Sequence, residues 1–252
     1  MNIKRVGQRG ILFTFFELKN LDYDCVTNIY VINGNRYFFI CDTYLGPSYI
    51  KEIKKYLEDN FGKKQYIVFN SHSHWDHIWG NSEFKDFQII SHELCEKYIL
   101  KYGQEDLIKH EKQFAKDKIE IVLPNTIFKE EIEFKEEGVK FFYTPGHSDD
   151  SSSCYDYKDK ILFVGDNIDD PIPSFMCWSE LDKYKETLER YLQINADIVI
   201  QSHGHITNKD LIKDNISYIN KLIRKEKIDL GNKEMLKKHL INMEYLRSVN
   251  EE

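Results

Sequence analysis

The sequence offers little through cysteine to hold either a fold or an ion. Its five cysteines, Cys25, Cys41, Cys95, Cys154 and Cys177, are odd in number and no two have C-x-x-C spacing. That argues against a disulfide framework and against a thiolate zinc knot. Scattered thiols suit the reducing cytoplasm, where the protein is expected. Long apolar runs are also missing: no stretch approaches the ~20 residues of a membrane span. The apolar stretch ILFTFFEL at 11–18 contains Glu17 and lacks a small-residue cleavage site, so it reads as a strand and not as an export signal. Excess positive charge is absent as well. Thirty-five Lys and Arg against 42 Asp and Glu leave a net charge of −7, without the electrostatic footprint of a nucleic-acid binder. The basic run KLIRKEK at 221–227 reads as a solvated helix face. Finally, no Pro-, Gly- or Ser-rich linker divides the chain. One domain over residues 1–252, large enough to bury a sizeable core, is expected.

What is present is an order of elements that occurs twice. IYVI, Asn33-Gly34 and RYFFICDT give a hairpin signal. In PSYIKEIKKYLEDNFG, Ile50, Ile53 and Leu57 share a helical face, with Ser48 as a candidate cap and Gly62 as the stop. QYIVFN then reads as a buried strand leading into SHSHWDH. Later, SSCYDYKDKILFVGD reads as a second hairpin turning at YKDK. SELDKYKETLERYL reads as a second amphipathic helix with a Ser179-x-x-Asp182 capping box, and ADIVI as a second buried strand ending in QSHGH. Each half thus runs hairpin, aspartate (Asp42 or Asp166), helix, strand, Ser-His-x-His. Two pseudo-duplicated halves of this kind can pack sheet on sheet, with helices covering both outer faces. Between them, 92–102 and 105–117 read as helices, and IEIVL (119–123), EIEF and VKFFYT as strands. From about residue 207 the chain reads as C-terminal helices. Leu211, Ile212, Ile216, Ile219 and Ile223 form one core stripe; Met235, Leu236, Leu240, Met243 and Leu246 form another.

The chemistry gathers at strand ends. His72 and His74, at i and i+2, point to the same side of a strand. Asp76 and His77 follow where the chain turns away. Imidazole nitrogens and carboxylate oxygens suit zinc, iron or manganese. TPGHS places His147 after another apolar strand, ILFVGD places Asp166 at the end of a third, and DIVIQSHGH places His203 and His205 at a fourth. Groups on loops at strand ends are held by a rigid scaffold, where catalytic groups concentrate. His92, His110 and His239 read as structural or exposed. Trp75 and Trp79 flank the cluster. The stretch NIDDPIPSFMCW at 167–178 is expected to form one wall of a substrate pocket, with Trp79, Phe175 and Trp178 as candidate lining residues. Asp169 and Asp170 are either a cation-binding pair or a solvated turn.

HSHWDH, TPGHS, VGD and SHGH, in that order, resemble the metallo-β-lactamase superfamily, whose H-x-H-x-D-H is followed by a distant His, Asp and His. The resemblance spans residues from about 28 to 206. It implies a four-layer αββα sandwich, in agreement with the repeated order of elements. It further implies that His72, His74 and His147 hold one metal ion, that Asp76, His77 and His203 hold a second, and that Asp166 bridges the two. By the same resemblance Asp42 supports the histidine loop from behind. Tyr44 stands where the family usually has a glycine.

The implied cofactors are two divalent ions, zinc foremost, with iron or manganese as alternatives. Such a pair lowers the pKa of a shared water toward ~7 and so supplies hydroxide at neutral pH. Asp76 would be both ligand and proton acceptor. The expected function is a binuclear hydrolase acting on a small-molecule ester, thioester or lactone. Phosphodiester hydrolysis on the same site and a non-catalytic metal sensor are the alternatives. His74, where redox di-iron relatives carry glutamate, favours hydrolysis. The C-terminal helices lack the Arg/Lys pattern with which glyoxalase-type thioesterases of the family grip glutathione.

Overall fold

A computed structural model describes residues 1–21, 24–175 and 180–250, without the side chains of 248–250. Two sheets carry the fold. The first has seven strands in chain order: β1 (Asn2–Val6), β2 (Gly10–Phe15), β3 (Thr27–Asn33), β4 (Tyr37–Cys41), β5 (Gln65–Phe69), β6 (Gln88–His92) and β7 (Thr126–Phe128). The second has five: β8 (Glu131–Phe134), β9 (Val139–Tyr143), β10 (Ser152–Asp156), β11 (Ile161–Phe163) and β12 (Ile198–Ile200). Among the described residues six α-helices accompany them: α1 (Pro47–Phe61), α2 (Trp75–Ile78), α3 (Glu93–Phe114), α4 (Leu181–Gln193), α5 (Lys209–Ile223) and α6 (Lys233–Asn250). Among the described residues no helix is long and apolar enough to cross a membrane.

The period of two along each strand sorts the apolar side chains into separate interfaces. In β4, Phe38 and Ile40 face a cluster with Ile50, Ile53 and Leu57 of α1 and Cys95 and Ile99 of α3. Phe39 and Cys41 of the same strand face the other way, toward Phe141, Cys154, Ile161 and Phe163 of the second sheet. In β11, Leu162 turns outward to Tyr184 and Leu188 of α4 and Ile212 of α5. Three buried interfaces make four layers, helix–sheet–sheet–helix. This is the αββα sandwich that the sequence and the family resemblance imply.

Each sheet contains the same connection. β3 and β4 pair antiparallel, α1 follows, and β5 returns parallel to β4. β10 and β11 pair antiparallel, α4 follows, and β12 returns parallel to β11. The loops after β5 and β12 are SHSHWDH and SHGH, so the sandwich brings both to one end.

Several expectations are corrected. IEIVL is not a strand: Ile119 is buried and Ile121, Val122 and Leu123 pack on the first core, but in irregular chain outside any ladder. The two helices expected at 92–117 are one, α3, which runs through Gly103. A side chain there would press on Ile121, only 3.2 Å from the Cβ position, so the glycine lets IEIVL lie against the helix. Ser48 does not cap α1; Gly46 occupies that position, and the Ser48 N–H donates to Asp117 (2.9 Å) from a distant segment. The α6 stripe is rotated. Leu236 and Leu240 are exposed, while Asn242 is buried and Met235 and Leu246 pack on the third core. A buried asparagine at the centre of the inward face breaks the apolar pattern from which a stripe is read. Ser179 of the expected capping box lies outside the described residues.

Two positions close behind the histidine loop carry stability predictions. Gly80 lies in the 3-10 helix Trp79–Phe84, and a Cβ there would overlap the Thr43 carbonyl oxygen and lie 2.5 Å from Ile50 Cγ1. Backbone cannot yield as a side-chain tip can. Gly80→Ala is therefore expected to cost about 1–3 kcal/mol, read as a lowered midpoint in thermal unfolding. Tyr44 adopts φ +56, left-handed for a non-glycine residue. Its ring is fully buried, stacked on Phe15 (4.6 Å) and edge-on to Tyr49 (4.9 Å). Glycine would relieve about 1–2 kcal/mol of backbone strain but forfeit about 3–5 kcal/mol of buried aromatic packing. Tyr44→Gly is expected to destabilise on balance, again as a lower unfolding midpoint.

Candidate metal centre

The side chains singled out by sequence converge in two groups. His72, His74, His147 and Asp166 form one, and Asp76, His77 and His203 the other, each with candidate donor atoms within 4.8 Å of one another. Both sheets contribute to each group. His72 and His74 extend from β5, Asp76 and His77 sit on the single turn α2, and His147, Asp166 and His203 follow β9, β11 and β12. Asp166 is central: its Oδ2 lies 3.8 Å from Nε2 of His72 and of His147, 3.5 Å from that of His77 and 3.3 Å from that of His203. Asp76 Oδ2 is 3.3 Å from His203 Nε2 and 3.6 Å from His77 Nε2.

Hydrogen bonds on the far side of four of the rings, those of His72, His147, His77 and His203, fix which nitrogen faces inward. The Ser71 hydroxyl donates to Asp42 (2.8 Å), so it accepts from His72 Nδ1 (3.0 Å). His72 Nε2 therefore presents a lone pair. His147 Nδ1 donates to the Ser174 carbonyl (2.9 Å), which leaves its Nε2 a lone pair too. His74 Nδ1 faces both, at 3.0 Å and 3.3 Å. At most one contact of that trio can be a hydrogen bond; a cation at its centre satisfies all three nitrogens. In the second group His77 Nδ1 bonds Asp42 (2.9 Å) and His203 Nδ1 bonds the Val26 carbonyl (3.1 Å). Again the Nε2 atoms point inward. His77 Nε2 and Asp166 Oδ1 are buried without a hydrogen-bond partner. The nitrogen and oxygen donors, the backing hydrogen bonds and these unpaired atoms all fit divalent ions.

The electrostatics agree. Burial, reinforced by neighbouring imidazoles, pushes His72 well below the usual histidine range; burial also lowers His74 and His147, so all three are neutral donors. For His77 and His203 burial acts the same way, but adjoining carboxylates, Asp166 foremost, push both well above that range. Asp76 is raised by burial and lowered more strongly by His77 and His203, down to about 2. Asp166 is held well below the carboxylate range by the same two imidazoles, again against burial. Protons on His77 and His203 thus occupy the place of positive charge that an ion takes over, and binding would release them. The site is partly open to solvent, at His74 in the first group and at Asp76, Asp166 and His203. The side chains of Asp76, Asp166 and His203 are 13%, 10% and 19% exposed, against 0–4% for His72, His77 and His147.

Asp42, at φ +66, sits behind both halves. It accepts the Ser71 N–H (2.7 Å), the Ser71 hydroxyl, His77 Nδ1 and the Ser202 hydroxyl (3.4 Å). Other supports escaped sequence reasoning. Asn167 accepts the His147 N–H (2.8 Å) and donates to the Thr144 carbonyl (2.7 Å) and Tyr191 (2.8 Å). Its only sequence signal is adjacency to Asp166.

The candidate pocket residues fare differently. Trp79 and Phe175 are fully buried. Trp79 turns inward on the 3-10 helix and packs in the first core, and Phe175 lies between Tyr184 and Tyr218 in the third. Neither presents a pocket surface, because each anchors its own segment to a different core. Trp178 lies outside the described residues. Asp169 is neither a free anionic pair with Asp170 nor a solvated turn: Lys238 of α6 binds it at 2.7 Å. His205 is exposed and outside both groups. His92 stacks on Tyr143 (4.0 Å), His110 on Trp75 (4.7 Å), and His239 meets the Tyr218 hydroxyl (2.9 Å).

A family profile described as "Metallo-beta-lactamase superfamily" matches residues 22–205. The chain belongs to that superfamily. Among curated proteins it is similar to a "Hydroxyacylglutathione hydrolase" of Pelagibacter ubique, 31% identical over 128 residues, covering 49% of this chain and 44% of that one. It is also similar to a "Beta-lactamase-like protein 2 homolog" of Caenorhabditis elegans, 23% identical over 205 residues, covering 80% of this chain and 63% of the relative. The chain thus spans roughly half the length of the curated relatives it matches. Solved metallo-β-lactamases share the fold. The one from Pontibacter korlensis aligns with a TM-score of 0.71 at 17% identity, over 87% of this chain and 98% of that one. The one from Hirschia baltica aligns at 0.70 and 19%, over 86% and 96%.

Proposed function

We propose that this member of the metallo-β-lactamase superfamily is a binuclear metal-dependent hydrolase of small-molecule esters, thioesters or lactones. The observation that carries this reading is the pair of donor groups joined at Asp166, each with partly exposed donors. A closed structural site would bury every donor; a catalytic one keeps a position open. In the first group His72, His74 and His147 would hold an ion, in the second Asp76, His77 and His203, with Asp166 shared. Zinc suits this donor set best, and iron or manganese would be accommodated. Bound there, two divalent ions supply Lewis acidity and an acidified water. Asp76, held ionised by His77 and His203 and partly exposed, would accept a hydrogen bond from an attacking water and orient it. Similarity to a hydroxyacylglutathione hydrolase supports the thioester among these substrates.

Elemental analysis is expected to find two ions per chain. Model thioesters and lactones are expected to be hydrolysed in preference to bis-p-nitrophenyl phosphate. Turnover of the phosphodiester alone would replace this reading with a phosphodiesterase, and bound metal without any turnover would replace it with a sensor.

A further inference from the structure

The two serines of SHSH each offer a backbone N–H to a buried carboxylate, and the carboxylates come from opposite halves of the chain. Asp42 takes the Ser71 N–H. The Ser73 N–H, in the peptide between His72 and His74, goes instead to Asp150 Oδ2 at 2.8 Å. The other oxygen of Asp150 accepts the Ser148 hydroxyl at 2.6 Å, and Ser148 directly follows His147. Asp150 is 1% exposed, and burial raises its carboxyl despite these hydrogen bonds. Neighbouring backbone reinforces the join: the Ser152 N–H donates to the Ser71 carbonyl at 2.8 Å.

We propose that Asp150 is a positioning residue that clasps the His72–His74 loop to the His147 loop and thereby sets the first donor group, and not the second. It touches no candidate donor atom. It fixes the backbone on which three converging imidazole nitrogens depend, as Asp42 does for His77. The inference rests on the binuclear reading above, and deepens it by assigning the first group a support that the second does not share. A partner one shell out from a metal ligand is worth roughly 10–100-fold in affinity.

The test is a pair of double-mutant cycles read by direct titration with zinc(II) or cobalt(II). His203→Ala leaves the first group as the stronger site, and His72→Ala leaves the second. Asp150→Ala is expected to weaken binding about tenfold or more in the His203→Ala background and less than about twofold in the His72→Ala background. Asp150→Asn can still accept the Ser73 N–H and bond Ser148, and is expected to restore most of the affinity. Equal weakening in both backgrounds, or none in the first, would overturn the proposal. Should Asp150→Ala not fold, Ser148→Ala carries the same test: about threefold weakening confined to the His203→Ala background is expected, and any other pattern overturns it. If the unsubstituted chain binds no ion at all, the binuclear reading has failed and not the clasp.

Discussion

Asp166→Ala is expected to abolish binding of both ions and to cost more activity than any other single change. Its Oδ2 lies within 3.8 Å of a nitrogen from each of four histidines. His72→Ala removes one nitrogen of the first group and is expected to lose that ion first. Removing a partner one shell out costs roughly 10–100-fold; deleting an inner donor is expected to exceed the upper end of that range. Elemental analysis after gel filtration, alongside thioester hydrolysis, checks both variants. Full metal content in Asp166→Ala would contradict the proposed bridging role.

Asp42→Ala is expected to produce the largest loss of stability. The carboxylate is 1% exposed and accepts four hydrogen bonds, from Ser71 twice, His77 and Ser202. Deleting it strands buried donors, including an imidazole whose charge the carboxylates sustain. Breaking a buried charged pair costs about 3–5 kcal/mol. In a domain of this size each kcal/mol lowers the unfolding midpoint by about 2–4 °C, so a drop on the order of 10 °C is expected by calorimetry. Asp42→Asn keeps the shape but must turn its amide hydrogens toward some of these donors, and is expected to fall between. Because Asp42 holds Nδ1 of His77 directly and that of His72 through the Ser71 hydroxyl, its loss should weaken both groups. Asp150 variants, by contrast, should weaken the first group alone.

Much of this was legible in the sequence for a simple physical reason. Parallel strands buried on both faces need continuous apolar runs, and QYIVF and ADIVI show them. Ligand-bearing loops begin where such runs stop, so His72, His147, Asp166 and His203 announce themselves. The supports do not. Asp150 sits in DDSSS, which reads as a polar turn, because a buried carboxylate is recognised by the distant N–H groups it accepts and these leave no local pattern. Trp79 and Phe175 look like pocket residues beside a polar motif, yet both turn inward, since a loop needs its own anchors. Leu236 and Leu240 illustrate the reverse. They fit a helical stripe, but the face that docks is centred on Asn242, which donates to the Pro173 carbonyl (2.8 Å) and accepts the Phe175 N–H (3.1 Å). A hydrogen-bonded seam of that kind has no hydrophobic period.

The division of each donor group between the two sheets has a consequence for assembly. Neither sheet alone, nor either half of the chain, carries a complete set, and the nearest full set stretches from residue 72 to residue 166. The proposed ions would therefore bind tightly only with the sheets docked, and each would rivet one layer to the other. Whatever free energy binding releases is added wholly to the docked state and grows with free metal concentration as RT ln(1 + [M]/Kd). Chelation would thus loosen the joint between layers before it disturbed either sheet.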